Sequence, residues 1–471
     1  MYTLVNLNLI PKMQYISFKL LSPKCFGMLM NLSLFIFIIY LFSGCNPSKN
    51  HHSNTAVSVV NDKFYFNNQI INPDSPSGGL LMNIRMVNAV FEDQRQVPGN
   101  LTEPFNPDVN TQAFIDKIPE YVSNGVNAFT ISLQGGMPGY EGAVNTAYKP
   151  DGSLRESYLQ RVEKIINSCD DNNAAVILSL FYQRQHSHEF ALDGKESIKI
   201  ALENTVRWLT EKKFSNVLLE ISNEYRHGGY RNWPDGEWLM SEAGQIELIN
   251  LAKQLNPGLL VSTSGMGNGV YHEELARAAD YLLIHFNNTS LEDYADKINI
   301  LKKYGKPIVC NEDDKIKTEG ATGLALSVLY GSGWGYMNSV VNQSFPFTFS
   351  GIDDDTAVYR MFSKVTTPGY RINPDELTQT AITITSPNDG DIIQQGQTVN
   401  IKLSHLYPDR TVPYTIELHA NSIKVDLIEE KLQVSWKPDS PEVYYLEAVV
   451  KNGQGMEIYR SPKVDVIIQS E

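Results

Sequence analysis

From about residue 80 onward the chain alternates short apolar runs with stretches of helical periodicity, and it does so eight times. The apolar runs are Leu80 to Val90, Val126 to Leu133, Ala175 to Phe181, Asn216 to Ser222, Leu259 to Thr263, Tyr281 to Phe286, Pro307 to Cys310 and Gly335 to Asn338. Between and after them, apolar residues recur at helical spacing, as Tyr158, Val162, Ile165 and Ile166 do in the stretch from Leu154 to Asn172. Runs apolar on both faces, alternating with helices, belong to a parallel sheet covered on both sides. Eight such units predict an α/β fold, a closed (β/α)8 TIM barrel. The rival is an open doubly wound sheet, which carries a Gly-rich phosphate turn after its first strand. None follows the first run here. Gly135-Gly136 and the glycines between Gly265 and Gly269 lack the dinucleotide spacing.

The 471 residues exceed what one core usually supports. After about Pro374 the pattern changes to short alternating strands without helices, among them Thr398 to Leu403, Tyr414 to Leu418 and Tyr444 to Val450. This predicts a small immunoglobulin-like β-sandwich over residues 380–471. Trp436, Tyr444 and Tyr445 read either as its core or as a sugar-stacking surface. Ahead of the barrel, Lys63 to Asn72 reads as a hairpin with an Asn67-Asn68 turn, placed to close the barrel bottom. The expected barrel domain is 63–372.

Residues 1–45 read as an export signal. Lys19 and Lys24 precede an apolar run from Phe26 to Phe42, ending in Ser43-Gly44-Cys45. That ending resembles a bacterial lipoprotein signal, in which the cysteine is lipidated; an uncleaved membrane helix is the alternative. The resemblance implies an exported, membrane-anchored lipoprotein with Cys45 lipidated and 46–62 a linker. Beyond this segment only Cys169 and Cys310 remain, both in runs expected to be buried, so free thiols are expected. The net charge of -14 argues against nucleic-acid binding.

Reactive groups of such barrels sit at the C-terminal ends of the strands. The fourth run ends Glu220-Ile221-Ser222-Asn223-Glu224, and the seventh continues Cys310-Asn311-Glu312. Two carboxyl groups facing one mouth are what glycosidic cleavage needs, one to protonate the leaving oxygen and one to attack or activate water. Glu224 alone reads equally well as a solvated or ion-paired group, and Glu312, in the run Asn311-Glu312-Asp313-Asp314, reads alternatively as part of a cation-binding acidic cluster. Asp313 is the fallback nucleophile if the register differs by one. His186 and His188 invite a metal reading, against plain sugar contact or exposure.

Asn-Glu on strand four with Glu on strand seven resembles the clan of retaining (β/α)8 glycosidases that includes the cellulase-like and β-mannanase-like families. The resemblance covers about residues 75 to 370. It implies Glu224 as acid/base, Glu312 as nucleophile and Asn223 as a ligand of the sugar 2-hydroxyl. His285 matches the strand-six histidine of the cellulase-like family, and Trp334 resembles the tryptophan that floors the sugar site. Asn287 stands where that family has a tyrosine beside the nucleophile. The family's arginine near the end of strand two is missing, and Arg85 on strand one reads equally as its substitute or as an interior salt-bridge partner. Tyr182 and Gln183 end strand three and are further substrate-binding candidates. Trp233 and Trp238, on the loop after strand four, read as sugar stackers or as packing.

The resulting expectation is retaining hydrolysis of an O-glycosidic bond in a β-linked poly- or oligosaccharide, with no cofactor and no metal. The rivals are a non-catalytic glycan-binding lipoprotein on the same scaffold and a metal-dependent barrel hydrolase. The distance between the two carboxyl groups separates retention from inversion.

Overall fold

The computed structural model describes residues 54–92, 105–135, 144–186, 188–339, 347–374, 382–404, 414–428, 432–461 and 463–470, with positions 341, 343 and 377 between them. Cys45 and the expected export signal lie outside the described residues.

The chain enters through a three-stranded antiparallel sheet, β1 (Val57–Val60), β2 (Lys63–Phe66) and β3 (Gln69–Ile70). The expected hairpin is therefore β2-β3, with Asn67 and Asn68 at φ 53° and 63°. Positive φ at both turn positions is what asparagine tolerates and a two-residue hairpin requires. β1 falls where the linker was expected. A second turn at Asn61, φ 56°, folds it back onto β2.

Eight parallel strands follow: β4 (Met82–Arg85), β5 (Ala128–Ser132), β6 (Ala175–Phe181), β7 (Val217–Ser222), β8 (Leu260–Ser262), β9 (Leu282–His285), β10 (Ile308–Glu312) and β11 (Trp334–Tyr336). β4 to β8 pair in sequence order, β11 pairs with β4 and β9 with β10. The bridges Ser264–Leu283 and Val309–Gly333 close the ring. The first apolar run splits: only Met82–Arg85 is strand, and Val87–Val90 is a 3-10 turn. At β11 a side chain does not fit. A Cβ on Gly335 would lie 2.6 Å from the Asn311 backbone and 2.7 Å from the Asn83 amide.

Inside the barrel the side chains form layers. The lowest holds Leu81, Ala128, Ile177, Leu218, Leu283 and Val309, with Phe64 of β2 inserted among them. Phe64 packs edge-on against Tyr281, ring centroids 6.0 Å apart, so the hairpin plugs the N-terminal end. Above them the lining turns polar, with Asn83 bonded to Thr130. Outward-facing residues such as Ile131, Leu178 and Ile221 join the helices in one large core. Cys169 and Cys310 are buried free thiols.

Beyond residue 382 the described residues form strands joined by turns and loops, without a helix. β12 (Thr383–Ser386), β14 (Val399–Ser404) and β17 (Gln433–Trp436) form one sheet. The other is built on β13 (Asp391–Gln394), β15 (Tyr414–Ala420), β16 (Ile423–Ile428), β18 (Val443–Asn452) and β20 (Val464–Gln469), with β19 (Glu457–Arg460) on β18. Both contribute to one apolar cluster containing Ile401, Leu418, Leu446 and Val466. Trp436 and Tyr444 meet edge-to-face inside it at 4.8 Å, which makes them core residues. Tyr445 is exposed.

Candidate active site

The polar layer at the C-terminal end of the barrel brings together residues from four strands. β7 passes through Asn223 into Glu224, whose φ of 47° is an uncommon backbone state for a residue other than glycine. The turn is held by Ser264, after β8, which accepts the Glu224 backbone N–H at 2.8 Å. Backbone held in this region by its surroundings is a frequent mark of functional sites.

Glu312 ends β10 on the opposite wall. Val309 lies in the interior layer and Cys310 in the helix-facing core, so strict alternation would send Glu312 outward. A register shift between Cys310 and Glu312 turns it inward, paired with His285 of β9. A carboxylate oxygen of Glu224, one of Glu312 and a ring nitrogen of His285 all lie within 4.8 Å of one another. That is close to the ~5 Å separation of carboxyl groups at which one attacks directly, and shorter than the ~6.5–9.5 Å that admits a water between them.

Four groups hold Glu312. The Arg85 Nε lies 2.9 Å from its Oε2. The Asn287 amide donates to its Oε1 at 2.7 Å. His285 Nδ1 lies 3.7 Å from Glu312 and 3.5 Å from Glu224. The Glu312 backbone carbonyl accepts from Phe286 N. Burial disfavours the charge on Glu312, but Arg85, His285 and Asn287 outweigh it and hold this carboxyl below the usual glutamate range. His285 is the mirror case. Burial opposes its proton, yet Glu312, Glu224 and Glu220 together raise its pKa above the ordinary value.

Arg85 reaches further. Its Nη2 donates to Asn223 Oδ1 at 2.9 Å, and Asn223 Nδ2 is 3.4 Å from Gln183 Oε1. One guanidinium from strand one thus orients Asn223 and pairs with Glu312. Gln343 in turn donates to the Arg85 carbonyl at 2.7 Å. Ser264 and Gln343 are positions the sequence reading missed. Ser264 follows the fifth strand and was discoverable as a strand end, whereas Gln343 carries no local signal.

Several expected roles change. Trp334 is fully buried, facing Phe362 at 5.7 Å and donating its indole N–H to Asp313 at 2.8 Å. It lies between barrel and helix, with no face for a sugar. Asp313 is also completely buried, bonded to Tyr294, Trp334 and Lys315, and so faces away from Glu224. Tyr182 is half-buried and bonds Gln134 through its backbone N–H. Trp233 packs on Tyr230 and Phe181, and Trp238 bonds Glu247, so both stabilise their loop. His186 and His188 turn to Gln183 and Gln185. Among the described residues, the group spaced closely enough for a metal is Glu224, His285 and Glu312, and there the Arg85 cation already occupies the side of Glu312.

The fold is a (β/α)8 barrel with two carboxyl groups at its C-terminal mouth, and part of the chain is similar to the cellulase-like glycoside hydrolases. The family model that matches is Cellulase (glycosyl hydrolase family 5), over residues 88–257. This stretch includes Glu224 and ends before Glu312. No curated protein sequence matches the chain. Among solved structures, the endo-β-1,4-mannanase from Thermotoga petrophila superposes with a TM-score of 0.51 at 13% identity, covering 83% of this chain and 98% of the mannanase. A broad-specificity endoglucanase from Clostridium longisporum gives 0.42 at 12% identity, covering 61% and 97%. A glycoside hydrolase structure from Bacteroides vulgatus gives 0.46 at 12% identity, covering 89% and 82%. At these identities the likeness concerns the fold.

Proposed function

We propose that the chain hydrolyses a β-linked poly- or oligosaccharide by double displacement, with Glu312 as nucleophile and Glu224 as acid/base. The observation that carries this is the approach of the two carboxylates to within 4.8 Å, with Arg85 and Asn287 holding only Glu312. A group kept ionised by a fixed cation suits attack. Its partner, free of that cation, suits proton transfer.

In the first step a Glu312 oxygen attacks the anomeric carbon while protonated Glu224 gives its proton to the glycosidic oxygen. The C–O bond breaks, the leaving sugar departs as an alcohol, and an ester joins Glu312 to the sugar. In the second step the Glu224 carboxylate takes a proton from water, and the water oxygen attacks the same carbon. Glu312 is released, and two inversions leave the configuration unchanged. Asn223, oriented by Arg85, is placed to bond the 2-hydroxyl.

Proton NMR of the first-formed product on β-1,4-linked mannan and glucan oligosaccharides tests this. Initial β-anomer that then mutarotates, with turnover lost in Glu312→Gln, is expected. Initial α-anomer sinks the nucleophile assignment. Binding without any turnover supports a glycan-binding protein instead.

The same reading extends to the chain's ends. Ser43-Gly44-Cys45 supports export as a bacterial lipoprotein anchored through Cys45, at the cell surface or in the periplasm. Mass spectrometry of the membrane fraction checks it: a Cys45→Ala variant found acylated and membrane-bound like the parent removes the proposal. The two-sheet C-terminal domain, with its shared core, supports the immunoglobulin-like assignment.

A further inference from the structure

We propose that the seam between the barrel and the C-terminal β domain is a glycan-binding subsite, so that the enzyme's substrate is a chain extending beyond the two sugars at the cleaved bond. This rests on the hydrolase reading above.

The seam opens beside the candidate nucleophile. A cleft of about 520 Å³ is lined from the barrel by Asn287, Asn288 and Asp314, and from the β domain by Thr385 and Lys402. Asn287 is the residue whose amide holds Glu312, and Asp314 is two positions beyond Glu312. A second cleft, of about 280 Å³, shares Ile316, Glu319 and Thr385 with the first and continues the path along the β domain. The volume of the first lies within the ~300–1,000 Å³ of ordinary ligand sites.

The lining of the first cleft sets amide, hydroxyl, carboxyl and ammonium groups beside the apolar side chains of Ile316, Leu403 and Leu432. That chemistry matches the many hydroxyls of a sugar chain, each of which donates and accepts. The barrel side of the cleft is firmly set: Asn288 N donates to the Gly267 carbonyl at 2.8 Å, and Thr289 Oγ1 to the same carbonyl at 3.0 Å. Lys402 and Thr385 are exposed on the β-domain side, on β14 and β12. A glycan running outward from the carboxylate pair along this seam contacts both domains. Binding energy gathered there, remote from the reacting bond, is available to the transition state.

The test uses the full chain with Thr385→Trp, which fills the cleft, and Lys402→Ala, both at exposed positions so that folding is retained. The kcat/KM is measured on β-1,4-linked hexaoses of mannose, glucose and xylose, and on the matching 4-nitrophenyl β-biosides. The ratio of hexaose to bioside is expected to fall about tenfold in Thr385→Trp and by a smaller factor in Lys402→Ala. A ratio within twofold of the parent in both variants overturns the subsite while leaving hydrolysis intact. A parent chain that neither cleaves nor binds any of these glycans overturns the hydrolase reading itself, and the subsite with it.

Discussion

Arg85 and Glu312 are 227 positions apart in sequence and meet at 2.9 Å across the barrel mouth, both nearly withdrawn from solvent. Removing the guanidinium leaves a buried carboxylate uncompensated. In Arg85→Leu the Glu312 pKa rises, and the acidic limb of the kcat/KM profile moves up by about 1–2 pH units. The sign for stability follows. Because the folded pKa is depressed, the pair stabilises the fold above the ordinary carboxylate range, and this is lost as pH falls through the folded value. A pH profile with an unmoved acidic limb contradicts the pairing as the cause.

Asn287 acts on the same carboxylate through a neutral amide. Asn287→Ala is expected to lower kcat about tenfold or more, since a hydrogen bond to a charged group is worth ~1.5–3 kcal/mol. Steady-state kinetics decides this; a rise in KM with kcat intact assigns Asn287 to substrate binding alone.

Trp334 belongs to the packing between β11 and its helix. Trp334→Phe is expected to cost about 1–3 kcal/mol of stability, through the lost bond to Asp313 and the lost volume. Its KM stays at the parent value. Denaturant unfolding and kinetics on one preparation separate the two, and a raised KM with unchanged stability returns Trp334 to the sugar site.

Asp314 gives the fold a pH dependence of opposite sense to that of Glu312. Burial and the Asp313 charge push its carboxyl from 3.8 to about 6. With the folded pKa raised, its neutral form is favoured, so its contribution is full below the unfolded value and is lost as pH rises through about 6. Asp314→Asn is expected to be more stable than the parent at pH 7.5, by about 2 kcal/mol, and close to it at pH 3.5. Thermal melts at both pH values check the difference; an equal gap at both removes the titration as its source.

Phe64 plugs the barrel from the end opposite the site. Phe64→Ala is expected to cost about 3–5 kcal/mol, the usual range for an emptied aromatic position. The kcat at a temperature where the variant remains folded should be little changed. A loss of kcat without a loss of stability is the contrary result.

Sequence by itself determined the barrel. Eight apolar runs alternating with helices, without the phosphate turn usual in the open sheet, point to a closed ring, and strand ends place Glu224 and Glu312 at one mouth. Asn67-Asn68 announced the plug because only a few residues tolerate positive φ twice in succession. What pairs with Glu312 was decided by tertiary structure. Arg85 converges on it from β4, and His285 and Asn287 from the end of β9, and such convergence has no local signal. Alternation alone sends Glu312 to the helix side; the register shift at Cys310 turns it inward. The same register leaves Trp334 facing Phe362, where its aromatic character says nothing of which side of the sheet it occupies. Composition and period fix which elements form, whereas closure of the ring fixes which side chains meet.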